Sequence, residues 1–240
     1  MTTATRSDWT LPLVGGRYHF LLRRLHSLTG ILFGGYILVH LFVNATIAQG
    51  GVAAGHTYNI YQAQVNKIHE LPLLALIEWT FIYLPIIYHI IYGVWITITG
   101  QPNVVSYPYA RNWLYIWQRI TAMYLIFFIL FHVISFKYGW LGESLRFRPN
   151  FALSSVARHM DVSFFITWII YPLGIVATCF HLANGFFTAA ITWGLTVSAG
   201  AQKRWGLVCV VIFMVTMIAG FAALIGAAAQ DPVVLLETGQ

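Results

Sequence analysis

The chain has 240 residues, of which 59% are hydrophobic and only 8% charged, whereas soluble domains carry about a quarter charged residues. No polar half remains to build a separate water-soluble domain, so a single membrane domain is expected. The formal net charge of +6 gathers at the ends of apolar stretches. That suits anionic lipid, cofactor carboxylates or a partner protein, and argues against nucleic acid, since no basic stretch has a soluble fold behind it.

Residues 1–26 read as a polar cytoplasmic segment, with Pro12 and several arginines ahead of any long apolar run, unlike a cleaved secretion signal. A bilayer core takes about 20 apolar residues of helix. Five stretches qualify: 27–48, 71–99, 113–138, 162–188 and 205–229. Residues 27–229 are therefore expected to form a five-helix transmembrane domain, with 230–240 as a C-terminal tail. Within these stretches Glu78 lies near the start of the second and Arg119 near the start of the third. The loop 139–161 mixes Phe147, Phe151 and Leu153 with Arg146, Arg148 and Arg158, a composition suited to a short interfacial segment. Cys179 and Cys209 sit in apolar runs as small buried side chains, with no disulfide expected.

The expected fold class is an all-α membrane protein, a five transmembrane helix bundle with its N-terminus inside and C-terminus outside. That orientation puts Arg6, Arg17, Arg23, Arg24, Arg111, Arg119, Lys203 and Arg204 on the inner side, against Lys67, Lys137, Arg146, Arg148 and Arg158 outside, in keeping with the positive-inside bias. Trp9, Trp113, Trp140 and Trp193 fall near the membrane surfaces as an aromatic belt.

Of nine histidines, four lie deep in the predicted helices, one in each of the first four: His40, His89, His132 and His181. Ionisable groups in a membrane interior are costly and point to function. Depth follows from the helical rise of about 1.5 Å per residue, which places His40 and His132 roughly 7–14 Å from the outer end and His89 and His181 roughly 28–30 Å from it. His40 can thus face His132 in the outer half, and His89 can face His181 in the inner half. Each pair of helices repeats the spacing: 49 residues separate His40 from His89, and 49 separate His132 from His181. Gly93 and Gly185 each follow a deep histidine by four residues, one turn along the same face. They leave room either for a flat macrocycle or for ordinary close helix packing.

Two histidines per level, with no Cys, Asp or Glu at that depth, are too few for zinc, which takes four ligands. Haem brings four nitrogens of its own and asks only for axial ligands, and bundles hold cofactors between facing helices. Two haem b groups are expected, His40/His132 holding the outer and His89/His181 the inner. Propionates need cationic or hydrogen-bonding partners; Arg23, Arg24, His26 and Ser27, at the inner entrance of the first helix, and Arg119 are candidates for these or for a quinone, with plain membrane anchoring the simpler role for Arg23. His19, His56, His69 and His159 are expected at loops or surfaces.

The residues Arg-Arg-Leu-His-Ser-Leu-Thr-Gly at 23–30, His-Leu-Phe-Val-Asn at 40–44, Leu-Pro-Ile-Ile-Tyr-His-Ile-Ile-Tyr-Gly at 84–93, Arg-Asn-Trp-Leu at 111–114, Phe-His-Leu-Ala-Asn-Gly at 180–185 and Thr-Trp-Gly-Leu-Thr-Val at 192–197 together resemble the single-subunit, two-haem cytochrome b anchor of succinate dehydrogenase, the type found in Bacillus and its relatives. The likeness runs from about residue 17 to about residue 228. It implies a multi-pass protein of the cell membrane, with a flavoprotein subunit and an iron–sulfur subunit docked on its inner face. Electrons would pass through the inner and then the outer haem to quinone, often menaquinone. By position, His89 and His181 match the family's inner ligands and His40 and His132 its outer ones, and His26 and Ser27 match positions near the inner propionates. The resemblance also implies that Cys179 stands where related fumarate reductases carry a proton-conducting glutamate, which favours succinate oxidation over fumarate reduction. Glu70 or His69 could serve quinone protonation. A fumarate reductase anchor is the nearest alternative, and the cytochrome b subunit of a membrane hydrogenase or formate dehydrogenase a more distant one. The chain carries no dinucleotide loop and no iron–sulfur cysteine cluster, so succinate chemistry would belong to partners.

Overall fold

The computed structural model describes residues 16–49, 51–53, 56–58 and 60–230. Arg6, Trp9 and the tail from 231 lie outside the described residues, as do the side chains of Arg17 and His56. Five helices among the described residues are long and apolar enough to cross a membrane: Tyr18–Gln49, Leu74–Thr99, Ala110–Tyr138, Ile166–Thr192 and Ala199–Ala228. They are called spans one to five here. Span one starts well before the predicted residue 27 and span five before the predicted 205, while span four starts after the predicted 162. Hydropathy marks where lipid begins, whereas a helix ends where its hydrogen bonds do.

Spans two and four share a local device. Each contains a widened π-helical turn, Trp79–Tyr83 and Ile166–Ile170, followed two positions later by a proline, Pro85 and Pro172. Proline lacks an N–H and its ring presses on the carbonyl four residues back. A wide turn accommodates both without ending the helix.

The connections at one end of the bundle are structured. Span one finishes in a 3-10 turn, Thr46–Gln49, with Ile47 buried. A small antiparallel ribbon follows, Gly51–Ala53 against His56–Tyr58, and then a helix, Ile60–His69. In the loop 139–161, the expected interfacial segment is a helix, Ala152–Asp161, and it is buried rather than laid on the surface. No side chain of its own caps that helix. Gln62 from the preceding connection supplies the cap: its Oε1 accepts from the Ala152 N–H at 2.7 Å, and its Nε2 donates to the Pro149 carbonyl at 2.7 Å. Orphan N–H groups at a helix start need such an acceptor.

Span five packs against spans one and four. Contact is close because small residues line it: a Cβ on Gly220 would lie 2.7 Å from Ile175 Cγ2, and one on Gly226 would lie 2.8 Å from the Ala48 backbone nitrogen. Small residues at helix crossings are how membrane helices gain dispersion contact where lipid offers no hydrophobic drive. Facing outwards, Ile91, Ile98, Phe127 and Ile218 are each about two-thirds or more exposed, an apolar exterior suited to lipid. Spans two and three touch sparingly, and among the spans lies a cavity of about 1900 Å³, lined mainly by spans one to four with Gly220, Ala223 and Leu224 of span five. Ordinary ligand pockets hold about 300–1,000 Å³, so this one has room for two bulky groups.

Candidate functional site: two crossed imidazole pairs in one cavity

Each of the first four spans delivers its deep histidine to the cavity wall. The ring centroids of His40 and His132 are 5.9 Å apart with planes at 86°, and those of His89 and His181 are 6.3 Å apart with planes at 84°. Span one records both levels: Gly30 touches the His89 ring, and His40, ten residues on, faces His132. Ten helical residues correspond to roughly 15 Å. The pairing expected from depth alone is the pairing found.

Hydrogen bonds fix the tautomers of His89 and His181. His89 Nδ1 lies 3.1 Å from the His26 carbonyl, and His181 Nδ1 lies 3.2 Å from the Gln118 carbonyl. A carbonyl can only accept, so each Nδ1 carries the proton and each Nε2 keeps a lone pair. His181 Nδ1 also lies 3.4 Å from the Thr121 hydroxyl, whereas His40 and His132 meet side chains and no backbone carbonyl among the described residues. His132 Nδ1 is 3.3 Å from the Tyr171 hydroxyl, and His40 Nδ1 has longer contacts, 3.5 Å to both the Tyr36 hydroxyl and Asn44 Nδ2. Among the described residues, no hydrogen bond reaches Nε2 of any of the four.

His26 stacks face to face on His89, centroids 4.0 Å apart and planes 12° from parallel. Its own Nδ1 is buried without a hydrogen-bond partner among the described residues. Arg119 is similar: Nη2 donates to the Ile96 carbonyl at 3.2 Å and the guanidinium lies 3.6 Å over the Tyr115 ring, yet Nε and Nη1 are buried and unpaired among the described residues. Buried donors without partners are rare enough to require an explanation, and both side chains line the cavity. Ser27 is partly committed, since its hydroxyl accepts from Trp193 Nε1 at 3.1 Å. Arg24 lines the cavity while lying over the rings of Phe20 and Trp193, 4.9 Å from each centroid.

Gly93 and Gly185 also line the cavity. A Cβ on Gly93 would meet the His26 ring at 3.2 Å, so this glycine accommodates the stacked histidine; Gly185 has only Gln118 Nε2 nearby, at 3.7 Å. Gly30, which the spacing did not single out, is the glycine that admits the His89 ring, for a Cβ there would lie 2.7 Å from Cε1.

The remaining histidines divide. His69 is exposed with its Nδ1 2.9 Å from the Val65 carbonyl, and Glu70 is exposed beside it. His19 is partly buried, its Nδ1 3.4 Å from the Tyr92 hydroxyl. His159 corrects the expectation of a surface residue: it is 0% exposed. It stacks on Phe136 at 3.9 Å, and its Nε2 lies 3.2 Å from the Tyr171 hydroxyl. A helical reading of 152–161 would have found it, because Ala152, Val156 and His159 recur at spacings of four and three on one face. Burial pushes the His159 imidazole down to about 4, so it is neutral at pH 7.

Sequence reasoning also passed over the uncharged frame of His181. Gln118 Nε2 donates to the His181 carbonyl at 3.1 Å, and Gln118 Oε1 accepts from Asn184 Nδ2 at 2.8 Å. Polar amides inside a membrane span were the available signal.

Five apolar spans around a cavity that presents two crossed imidazole pairs at separate depths define a multi-pass membrane protein with two paired-histidine sites. No protein-family model matches the chain. Over 213 residues, covering 88% of this chain and 98% of the other, it is 31% identical to the succinate dehydrogenase cytochrome b558 subunit of Bacillus subtilis (strain 168). The chain belongs to the family of succinate dehydrogenase cytochrome b subunits.

Proposed function

We propose that this chain is the membrane-anchor cytochrome b subunit of a succinate:quinone oxidoreductase in the cell membrane. It holds one b haem on His40 and His132 towards the outer face and another on His89 and His181 towards the inner face. A flavoprotein subunit and an iron–sulfur subunit dock on the inner side, and quinone, menaquinone by the family resemblance, accepts the electrons. The N-terminus faces the inside. The observation that carries the reading is the pair of crossed imidazoles at two levels.

The residues fit the group. Two imidazoles that shared one metal would have centroids roughly 6 Å apart, given metal–nitrogen bonds of about 2 Å, close to the observed 5.9 and 6.3 Å. The inner rings already present the unprotonated Nε2 that coordination requires, because Nδ1–H is spent on a backbone carbonyl; such outer partners orient metal-binding histidines and raise their basicity. The unpaired nitrogens of Arg119 are donors suited to propionate carboxylates, as is the unpaired Nδ1 of His26 in the tautomer that protonates it. Held by these histidines, haem would supply one-electron transfer.

The test is haem counted per chain with a reduced-minus-oxidised spectrum. The purified protein is expected to hold two b haems, and His40→Ala and His89→Ala are each expected to keep one. A count near zero in the unaltered chain removes the reading, and a count of two in both variants moves the ligands elsewhere.

A further inference from the structure

The two sites differ in what their imidazoles lean on. At the inner site both Nδ1 atoms meet backbone carbonyls, and the Thr121 hydroxyl, 3.4 Å from His181 Nδ1, itself turns back to the Trp117 and Gln118 carbonyls, so no line of side chains leads away. At the outer site, His132 begins a line of side chains that leaves the membrane spans: His132 Nδ1 to Tyr171 Oη at 3.3 Å, then Tyr171 Oη to His159 Nε2 at 3.2 Å. The line is well packed. Tyr171 is 7% exposed, and its ring crosses those of His132 and His159 at 74° and 87°. Phe136 stacks on His159 and also touches the His132 ring. Thr167, in the widened turn of span four, donates to the Met160 carbonyl, which fastens the helix Ala152–Asp161 beside Tyr171.

We propose that Tyr171 and His159 are positioning residues for His132, forming a one-way line of hydrogen bonds that makes this ligand more electron-rich and lowers the potential of the outer haem. The inference rests on the reading of His132 as a ligand through Nε2. A neutral imidazole bound through Nε2 carries its proton on Nδ1, so His132 donates to Tyr171. The Tyr171 oxygen, accepting there, turns its own O–H towards His159 Nε2, which accepts. Each donation polarises the next, and a stronger acceptor at Nδ1 raises the basicity of the metal-bound nitrogen. Greater basicity favours the ferric state, hence the lower potential. His159, although outside the spans, is thereby part of the outer site.

The experiment is a redox titration of the haem-loaded protein, following the two haems separately, on the unaltered chain and on Tyr171→Phe, His159→Leu and His159→Gln. Tyr171→Phe is expected to keep two haems per chain and to raise one midpoint only. The rise should be several-fold to tenfold in the reduction equilibrium, where tenfold is about 59 mV for one electron. His159→Leu should move the same midpoint the same way by less, and His159→Gln, which keeps an acceptor, should return it towards the unaltered value. Midpoints unmoved in Tyr171→Phe with both haems present overturn the proposal. So do equal movement of both midpoints, or His159→Gln and His159→Leu behaving alike. If Tyr171→Phe loses the outer haem, the comparison of His159→Leu with His159→Gln decides by the same criterion. An unaltered chain without haem overturns the coordination reading itself, and this inference with it.

Discussion

Only a hydrogen on Gly30 separates span one from the imidazole of His89: a Cβ on the glycine would lie 2.7 Å from Cε1 and 3.0 Å from Nδ1. The ring cannot swing aside freely, because its Nδ1 is bonded to the His26 carbonyl and its face is stacked on His26. Gly30→Ala is therefore expected to displace His89 and to empty the inner site, with overpacking that costs about 1–3 kcal/mol. Gly35→Ala, where a Cβ meets nothing within 4 Å, should keep both haems. Haem per chain in the two variants checks this; equal content in both would remove the argument.

Arg119 brings two unpaired buried nitrogens to the cavity. If they serve a carboxylate of the inner haem, Arg119→Gln forfeits a charge-assisted bond of about 1.5–3 kcal/mol. The rate of haem loss to an excess of apo-globin should then rise roughly 10- to 100-fold for one haem and stay unchanged for the other. Identical loss rates before and after the substitution would leave Arg119 as a packing residue against Tyr115.

The buried His159 ties stability to pH. Its pKa falls from the ordinary 6.5 to about 4 through burial, so between those values an unfolded chain takes up a proton that the folded chain refuses. Stability from this group is complete above pH 6.5 and is lost as pH falls towards 4, to a limit of about 3 kcal/mol. Thermal unfolding at pH 7 and pH 4.5 should differ more for the unaltered protein than for His159→Gln. Parallel slopes in the two proteins would contradict it.

Orientation has a direct test because Cys179 and Cys209 are both buried. Ser106 and Ser144 are exposed in connections at opposite ends of span three. With the N-terminus inside, an impermeant thiol reagent applied to whole cells should label Ser144→Cys, and should label Ser106→Cys only after the membrane is opened. The reverse pattern inverts the assignment.

Much of the site was legible in the sequence because depth along a helix is a local property. A rise of about 1.5 Å per residue sorted His40 with His132 and His89 with His181, and the rings meet in those pairs. His159 reads as a surface residue because 139–161 offers at most a short interfacial segment in sequence; its burial depends on a helix whose cap, Gln62, comes from about 90 residues away. Gly93 was placed on the correct face, yet its neighbour is the His26 ring.

By itself, the sequence determined that five helices are long and apolar enough to cross a membrane and how far along them the deep histidines lie, since apolar run length and helical rise need no distant partner. The tertiary structure alone decided which way each helix turns about its own axis. That rotation depends on packing against neighbouring spans, and it sets the acceptor for each Nδ1, the unpaired nitrogens of Arg119 and the line from His132 through Tyr171 to His159.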